Sequence, residues 1–219
     1  MKTLFTVLLV ALLSTLSAVA GGDGSQAPPK IQLPRTGFEF ITKERGVWVY
    51  KNATADLIWI GAVSVVPAQP ERVMAALLDY EHQPGKIGRI SEAKILSRDG
   101  DALYVYERLN LPVISDRDFT LKVTHGTDGR RLWITYAAAN DRGPAPRDGI
   151  VRVTRHSGTW ELIPTDDGKG TFLRSEFRID LAGSVPLWLV RPGAGKEIPA
   201  LYADVCRLSL GPGGASKCP

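Results

Sequence analysis

The chain has little with which to hold a metal or run group-transfer chemistry. Only three histidines, His82, His125 and His156, and two cysteines, Cys206 and Cys218, occur in 219 residues. The histidines show neither i,i+4 spacing nor a partner cysteine pair, so no converging ligand set of the zinc kind is expected. The P-loop, the G-x-S-x-G elbow and the H-E-x-x-H helix are also absent, which removes the commonest nucleotide, acyl-transfer and metallohydrolase readings. No cofactor is expected. Charge is nearly balanced, 27 Lys+Arg against 23 Asp+Glu, with no basic run, and this argues against nucleic acid as a partner. Two readings of the mild excess are open: a mixed-charge exterior, or weak attraction to an anionic membrane surface. Beyond residue 20, charges or prolines cut every apolar run within about a dozen positions, short of the ~20 residues that a spanning helix needs.

The one long apolar run comes first. MKTLFTVLLVALLSTLSAVA carries a single charge, Lys2, then an apolar stretch over 4–16, then Ala18 and Ala20 in A-x-A spacing. This is the layout of a cleavable secretory signal, and the absence of a basic stop-transfer cluster after it argues against an anchor. Residues 1–20 are expected to be removed and the chain to be exported, periplasmic or secreted. Loss of Lys2 lowers the net charge from +4 to +3. Residues 21–37, rich in Gly and Pro, read as a flexible linker. What remains suits one domain with a sizeable core, expected over 38–210, followed by a Gly-rich tail over 211–219. Cys206 and Cys218 would then meet an oxidising compartment. They read either as a disulfide pinning the tail to the last helix or as two thiols on a mobile tail.

Order is expected from near Phe38. VWVYKN (47–52) and LIWIGAVSVV (57–66) read as a strand hairpin. Pro67 and Pro70 end the second run, and Val73, Met74, Leu77 and Leu78 then recur at helical spacing behind Pro70 and Glu71. From residue 92 to 180, strand-like runs alternate with turn signals such as Asp99-Gly100, Asp128-Gly129 and Asp167-Gly168, which predicts antiparallel neighbours. Near the end, Ile198, Leu201, Tyr202, Val205 and Leu208 form one helical stripe. The whole predicts an α+β domain.

Alternation places Leu103, Val105, Glu107 and Leu109 on one strand face, and Arg117, Phe119, Leu121 and Val123 on one face of the next. Glu107 and Arg117 are thus the lone charges on two apolar faces. If the strands are neighbours, pairing of the two charges is the natural resolution, because an unpaired buried charge costs several kcal/mol. Such a pair could fix strand register, or it could be the polar handle of a cavity. On the last strand, Leu173, Ser175, Phe177 and Ile179 share the face expected to look inward.

The order of these segments resembles that of a known family. RDF at 117–119 follows the Glu-bearing strand, VRVTRHSGTWELIP (151–164) follows a variable loop, and DLAGSVPLWLV (180–190) opens a long helix. That succession is similar to START domains, the lipid-transfer domains named after the steroidogenic acute regulatory protein, here in an exported member of bacterial type. The resemblance implies a helix-grip (START/Bet v 1-like) fold, a curved antiparallel sheet around a long C-terminal helix with an internal cavity. It also implies that Glu107 and Arg117 pair inside the tunnel. Val105, Leu109, Phe119, Leu121, Phe177, Ile179, Leu201, Tyr202 and Val205 are the other candidate ligand contacts. The gate would fall on Val185, Pro186, Leu187, Trp188 and Leu189, opposite a turn at 126–130.

The expected function is noncatalytic binding and transfer of one sterol, hopanoid, fatty acid or phospholipid by a monomer that touches membranes transiently. The alternative is an aromatase/cyclase-like enzyme of the same superfamily. A protein-interaction module with a filled cavity is a third reading.

Overall fold

The computed structural model describes residues 37–52, 57–181 and 194–218. Ten strands form one sheet: β1 (Phe38–Glu44), β2 (Val47–Asn52), β3 (Ile58–Val66), β4 (Ile90–Asp99), β5 (Ala102–Leu109), β6 (Arg117–Asp128), β7 (Arg131–Ala138), β8 (Val151–Arg152), β9 (His156–Pro164) and β10 (Thr171–Ile179). Their order is β1-β2-β3-β10-β9-β7-β6-β5-β4, every neighbour antiparallel, with the two-residue β8 lying parallel to the start of β6. Register shifts in β4, between Ile90 and Glu92 and between Ile95 and Ser97, mark bulges, which bend a strand and sharpen its twist. The sheet is bent and antiparallel and carries a C-terminal helix, the arrangement expected of a helix-grip fold.

Helix α1 (Pro70–Leu78) starts where Pro67 ends β3, with Pro70 in its first turn, where a missing N–H leaves no partner unsatisfied. It buries Val73, Ala76 and Leu77 and rests on β7 and β9. Helix α2 (Ala194–Leu210) packs on α1 and on β1 to β3. Its expected stripe faces inward: Ile198, Tyr202 and Val205 are buried and Leu201 and Leu208 half-buried. The Tyr202 hydroxyl donates to the Ala62 carbonyl (2.9 Å) and lies 2.9 Å from Ser175 Oγ, tying α2 to β3 and β10.

The hairpin, the first helix, the antiparallel strands and the last helix stand where the sequence puts them. Two features differ. Strand β1 has no clear signal in the sequence, because as an edge strand it buries little, and Phe40 is left exposed. The segment 151–164 is not one strand, since 153–155 separates β8 from β9. The signal segment and the linker up to residue 36 lie outside the described residues.

Cys206 and Cys218 are joined in a disulfide. Closing so short a loop limits the unfolded chain by about 3 kcal/mol on the chain-entropy account. Reduction, or Cys218→Ala, is expected to lower unfolding stability by up to that amount in a urea titration. An unchanged midpoint would mean that the closed loop does not restrict the unfolded chain.

Candidate functional site

A cavity of about 450 Å³ lies on the helix-covered side of the sheet. Parity builds its wall. Glu107 and Leu109 from β5, and Phe119 and Leu121 from β6, project into it from adjacent strands, with Glu107 opposite Phe119 and Leu109 opposite Arg117 in the register. Strands β7, β9 and β10 add Tyr136, His156, Trp160, Phe177 and Ile179, while Ile58 and Ile60 come from β3. The helical side supplies Leu77, Tyr80 from the 3-10 turn after α1, and Ile198 and Leu201 from α2. The lining is overwhelmingly apolar, the character of a site whose affinity comes from moving a ligand's apolar surface out of water.

Residues 66–206 match the family described as "Polyketide cyclase / dehydrase and lipid transport". The chain belongs to this family. Among solved structures it is similar to a STAR-related lipid transfer protein fragment from Xanthomonas axonopodis, at 21% identity over 78% of this chain and 100% of that one, TM-score 0.69. Human STARD10 aligns at 18% identity over 87% and 83%, TM-score 0.72. Human StAR-related lipid transfer protein 5 does so at 16% over 81% and 88%, TM-score 0.70. At these identities the likeness is one of fold. No curated protein matches the chain.

Within this family fold, seven of the expected contacts reach the cavity: Glu107, Leu109, Phe119, Leu121, Phe177, Ile179 and Leu201. Four do not. Val105, Tyr202 and Val205 are sealed in the core, where side chains meet directly and leave no room for a ligand. Arg117 is the fourth, and the expected Glu107–Arg117 pair is not formed. Arg117 is 3% exposed, but its Nε donates to the Leu181 carbonyl (3.1 Å) and its Nη1 to the Ser115 carbonyl. The register explains this. Arg117 stands opposite Leu109 rather than Glu107, so the two charges are diagonal neighbours, and the guanidinium finds nearer oxygens on the main chain.

Glu107 is therefore left among apolar walls. Among the described residues no hydrogen bond or ion pair reaches its carboxyl group, and loss of hydration pushes its pKa up to about 7. Burial raises the Tyr80 and Tyr136 phenols well above the ordinary tyrosine range, and the nearby Glu107 charge raises both further. His156 shows the converse effect, because burial disfavours its cation and pushes its pKa down to about 4. Its ring meets Phe119 edge-on at 4.6 Å and Tyr136 at 5.2 Å between centroids, and its buried Nδ1 has no hydrogen-bond partner.

Sequence reasoning missed Tyr80, Tyr136, His156 and Trp160. One signal was available. Gly158 sits in mid-strand opposite Tyr136, and a Cβ there would come within 2.3 Å of the Tyr136 hydroxyl. A glycine inside a strand often marks such a close approach, and here it gives the tyrosine room to lie across β9.

Two pieces of chain flank the opening. Arg89 pairs with Glu197 across the rim through two hydrogen bonds, at 2.6 and 3.1 Å. The loop of Leu111, Pro112, Val113 and Ile114 also borders the cavity, with Val113 91% exposed at φ +70°. A β-branched residue in the left-handed region is strained. The turn at 126–130, expected to oppose a gate, borders no part of the cavity. The expected gate residues Val185, Pro186, Leu187, Trp188 and Leu189 lie outside the described residues. Among the described residues, no cluster of three or more His, Cys, Asp or Glu could hold a metal, and no helix is long and apolar enough to cross a membrane.

Proposed function

We propose that the protein binds one lipid in this cavity and carries it between membranes without changing it chemically. The observation that carries the reading is the cavity of about 450 Å³ with its apolar wall, a volume inside the ~300–1,000 Å³ range of small-molecule sites. The family's description includes lipid transport, and two of the three structural relatives are named as lipid transfer proteins. Native mass spectrometry of the purified mature protein, followed by organic extraction, tests it. One stoichiometric, unmodified lipid supports the carrier. A protein that copurifies with none and takes up no sterol, fatty acid, hopanoid or phospholipid counts against it.

Delivery requires contact with a membrane, and Val113 is suited to make it. A strained, exposed valine beside the cavity is retained at a cost to the fold, as strained residues at functional sites are. Burying a valine in an apolar phase yields about 1.5 kcal/mol. Val113→Asp is thus expected to slow transfer to vesicles about tenfold while leaving equilibrium lipid binding intact. Equal transfer rates would remove this loop from membrane contact.

Export fits the same reading. The N-terminal segment has the layout of a secretory signal, and the disulfide suits an oxidising compartment, where a lipid needs a carrier to cross water.

The second reading, an aromatase/cyclase-like enzyme, has one observation in its favour. Glu107, with a pKa near 7 beside two tyrosines, has the properties of a general acid or base. Recovery of the bound compound in altered form would select it.

A further inference from the structure

We propose that Glu107, Tyr80 and Tyr136 form, beside the His156 ring, a headgroup subsite that takes an uncharged hydroxyl-bearing head and rejects carboxylate, sulfate and phosphate heads. The proposal rests on the carrier reading and narrows it to a ligand class.

The three polar groups come from three separate elements and converge around the His156 ring. Glu107 stands opposite Phe119 in the sheet, the Phe119 ring touches His156, and His156 touches Tyr136. Tyr80 borders the same cavity from the far side and lies within electrostatic reach of Glu107. Among the described residues, neither the Glu107 carboxyl nor either phenol has a hydrogen-bond partner, and all three residues border the cavity, whereas His156 Nδ1, also without a partner, is closed off from it. Buried polar groups in native proteins are normally satisfied, so this polar patch in an apolar cavity marks where a ligand's own polar atoms belong. A hydroxyl both donates and accepts. It can donate a hydrogen bond to Glu107 and accept one from a phenol.

Among the described residues, the wall sets no counter-charge inside the cavity for an anion. The only basic side chain bordering the cavity besides His156, among the described residues, is Arg89, which stands at the rim with Glu197 against it. Arg117 does not border the cavity and is directed at main-chain carbonyls. An anionic head would lose its hydration, meet no counter-charge and face Glu107, which costs far more than burial of a hydroxyl. Size narrows the class again. If a methylene takes about the ~30 Å³ of a water molecule, the cavity of about 450 Å³ holds roughly fifteen such groups. One chain or one compact ring system fits that volume.

The test uses delipidated mature protein loaded with diphenylhexatriene, a hydrocarbon that fluoresces in apolar surroundings and has no head. Three C14 competitors then displace it at pH 8: tetradecan-1-ol, tetradecanoate and 1-methoxytetradecane. The alcohol is expected to displace the probe at least tenfold more strongly than tetradecanoate and severalfold more strongly than the ether. Glu107→Gln should narrow the alcohol-to-carboxylate gap at least threefold, and Tyr136→Phe should weaken the alcohol while leaving the ether unchanged. Probe uptake by each variant confirms that its cavity is intact. Tetradecanoate displacing the probe as well as the alcohol overturns the proposal and leaves the carrier standing, as does an alcohol no better than the ether. Failure of the protein to take up the probe or any competitor overturns the carrier reading, and the subsite with it.

Discussion

Glu107→Gln is expected to stabilise the protein by about 3 kcal/mol at pH 8 and to leave it unchanged at pH 4. A paired Glu107 would give the opposite sign, since its removal would strand a buried Arg117. In this fold the carboxylate instead sits in a dry wall with its pKa raised from 4.5 to about 7. The folded state therefore holds this proton across a range in which the unfolded state has released it. Stability from the group is full below about pH 4.5 and is lost as pH climbs through 7, at about 1.4 kcal/mol for each pH unit that separates the folded and unfolded pKa values. The neutral amide carries no such penalty. Urea denaturation of both proteins at pH 4, 6 and 8 measures it, and a variant less stable than wild type at pH 8 would show that Glu107 is charged and partnered after all.

His156→Phe is expected to act at the other end of the scale. With a pKa lowered from 6.5 to about 4, the imidazole costs nothing at pH 8, where both states are neutral. The unfolded state takes up a proton as pH falls below 6.5 and the folded state resists until about 4, so stability drains away over that window. The variant should match wild type at pH 8, apart from the gain of removing an unpartnered nitrogen, and exceed it by about 3 kcal/mol near pH 4. Between about pH 4.5 and 6.5 the two groups pull in opposite directions and largely cancel. Wild type should show a plateau there, and each variant should reveal one slope. If His156→Phe leaves the wild-type pH profile unaltered, the ring is hydrated and not part of the cavity wall.

Much of this was legible because it is local. The period-2 alternation of 103–109 and 117–123 placed Glu107 and Arg117 on buried faces, and both are buried. The stripe from Ile198 to Leu208 gave the inward side of α2, and the proline-bounded segment after β3 gave α1. Their pairing was not legible, because parity says which face a side chain takes and nothing about the register between strands. A shift of two positions, setting Leu109 and not Glu107 opposite Arg117, separates the charges and leaves one of them to line the cavity. Tyr136 and His156 were missed for a related reason. They meet because β7 and β9 are neighbours, and that adjacency skips over the two-residue β8, which no local pattern announces.

The strand order also dictates when this protein can fold. Strand β3 lies between β2 and β10, so residues such as Ile60 and Phe177 must find each other across more than half the chain. A growing chain that has not yet reached Thr171 holds two strands, β3 and β9, each with one bare edge facing the gap that β10 will fill. Pairings so distant in sequence are slow to form, and open edges invite other chains to add to them. The sheet closes only when its last strand arrives. A chain truncated before Thr171 should accumulate as aggregate rather than as a smaller folded domain, and a holdase able to keep those edges apart until synthesis ends would raise the yield of the intact protein.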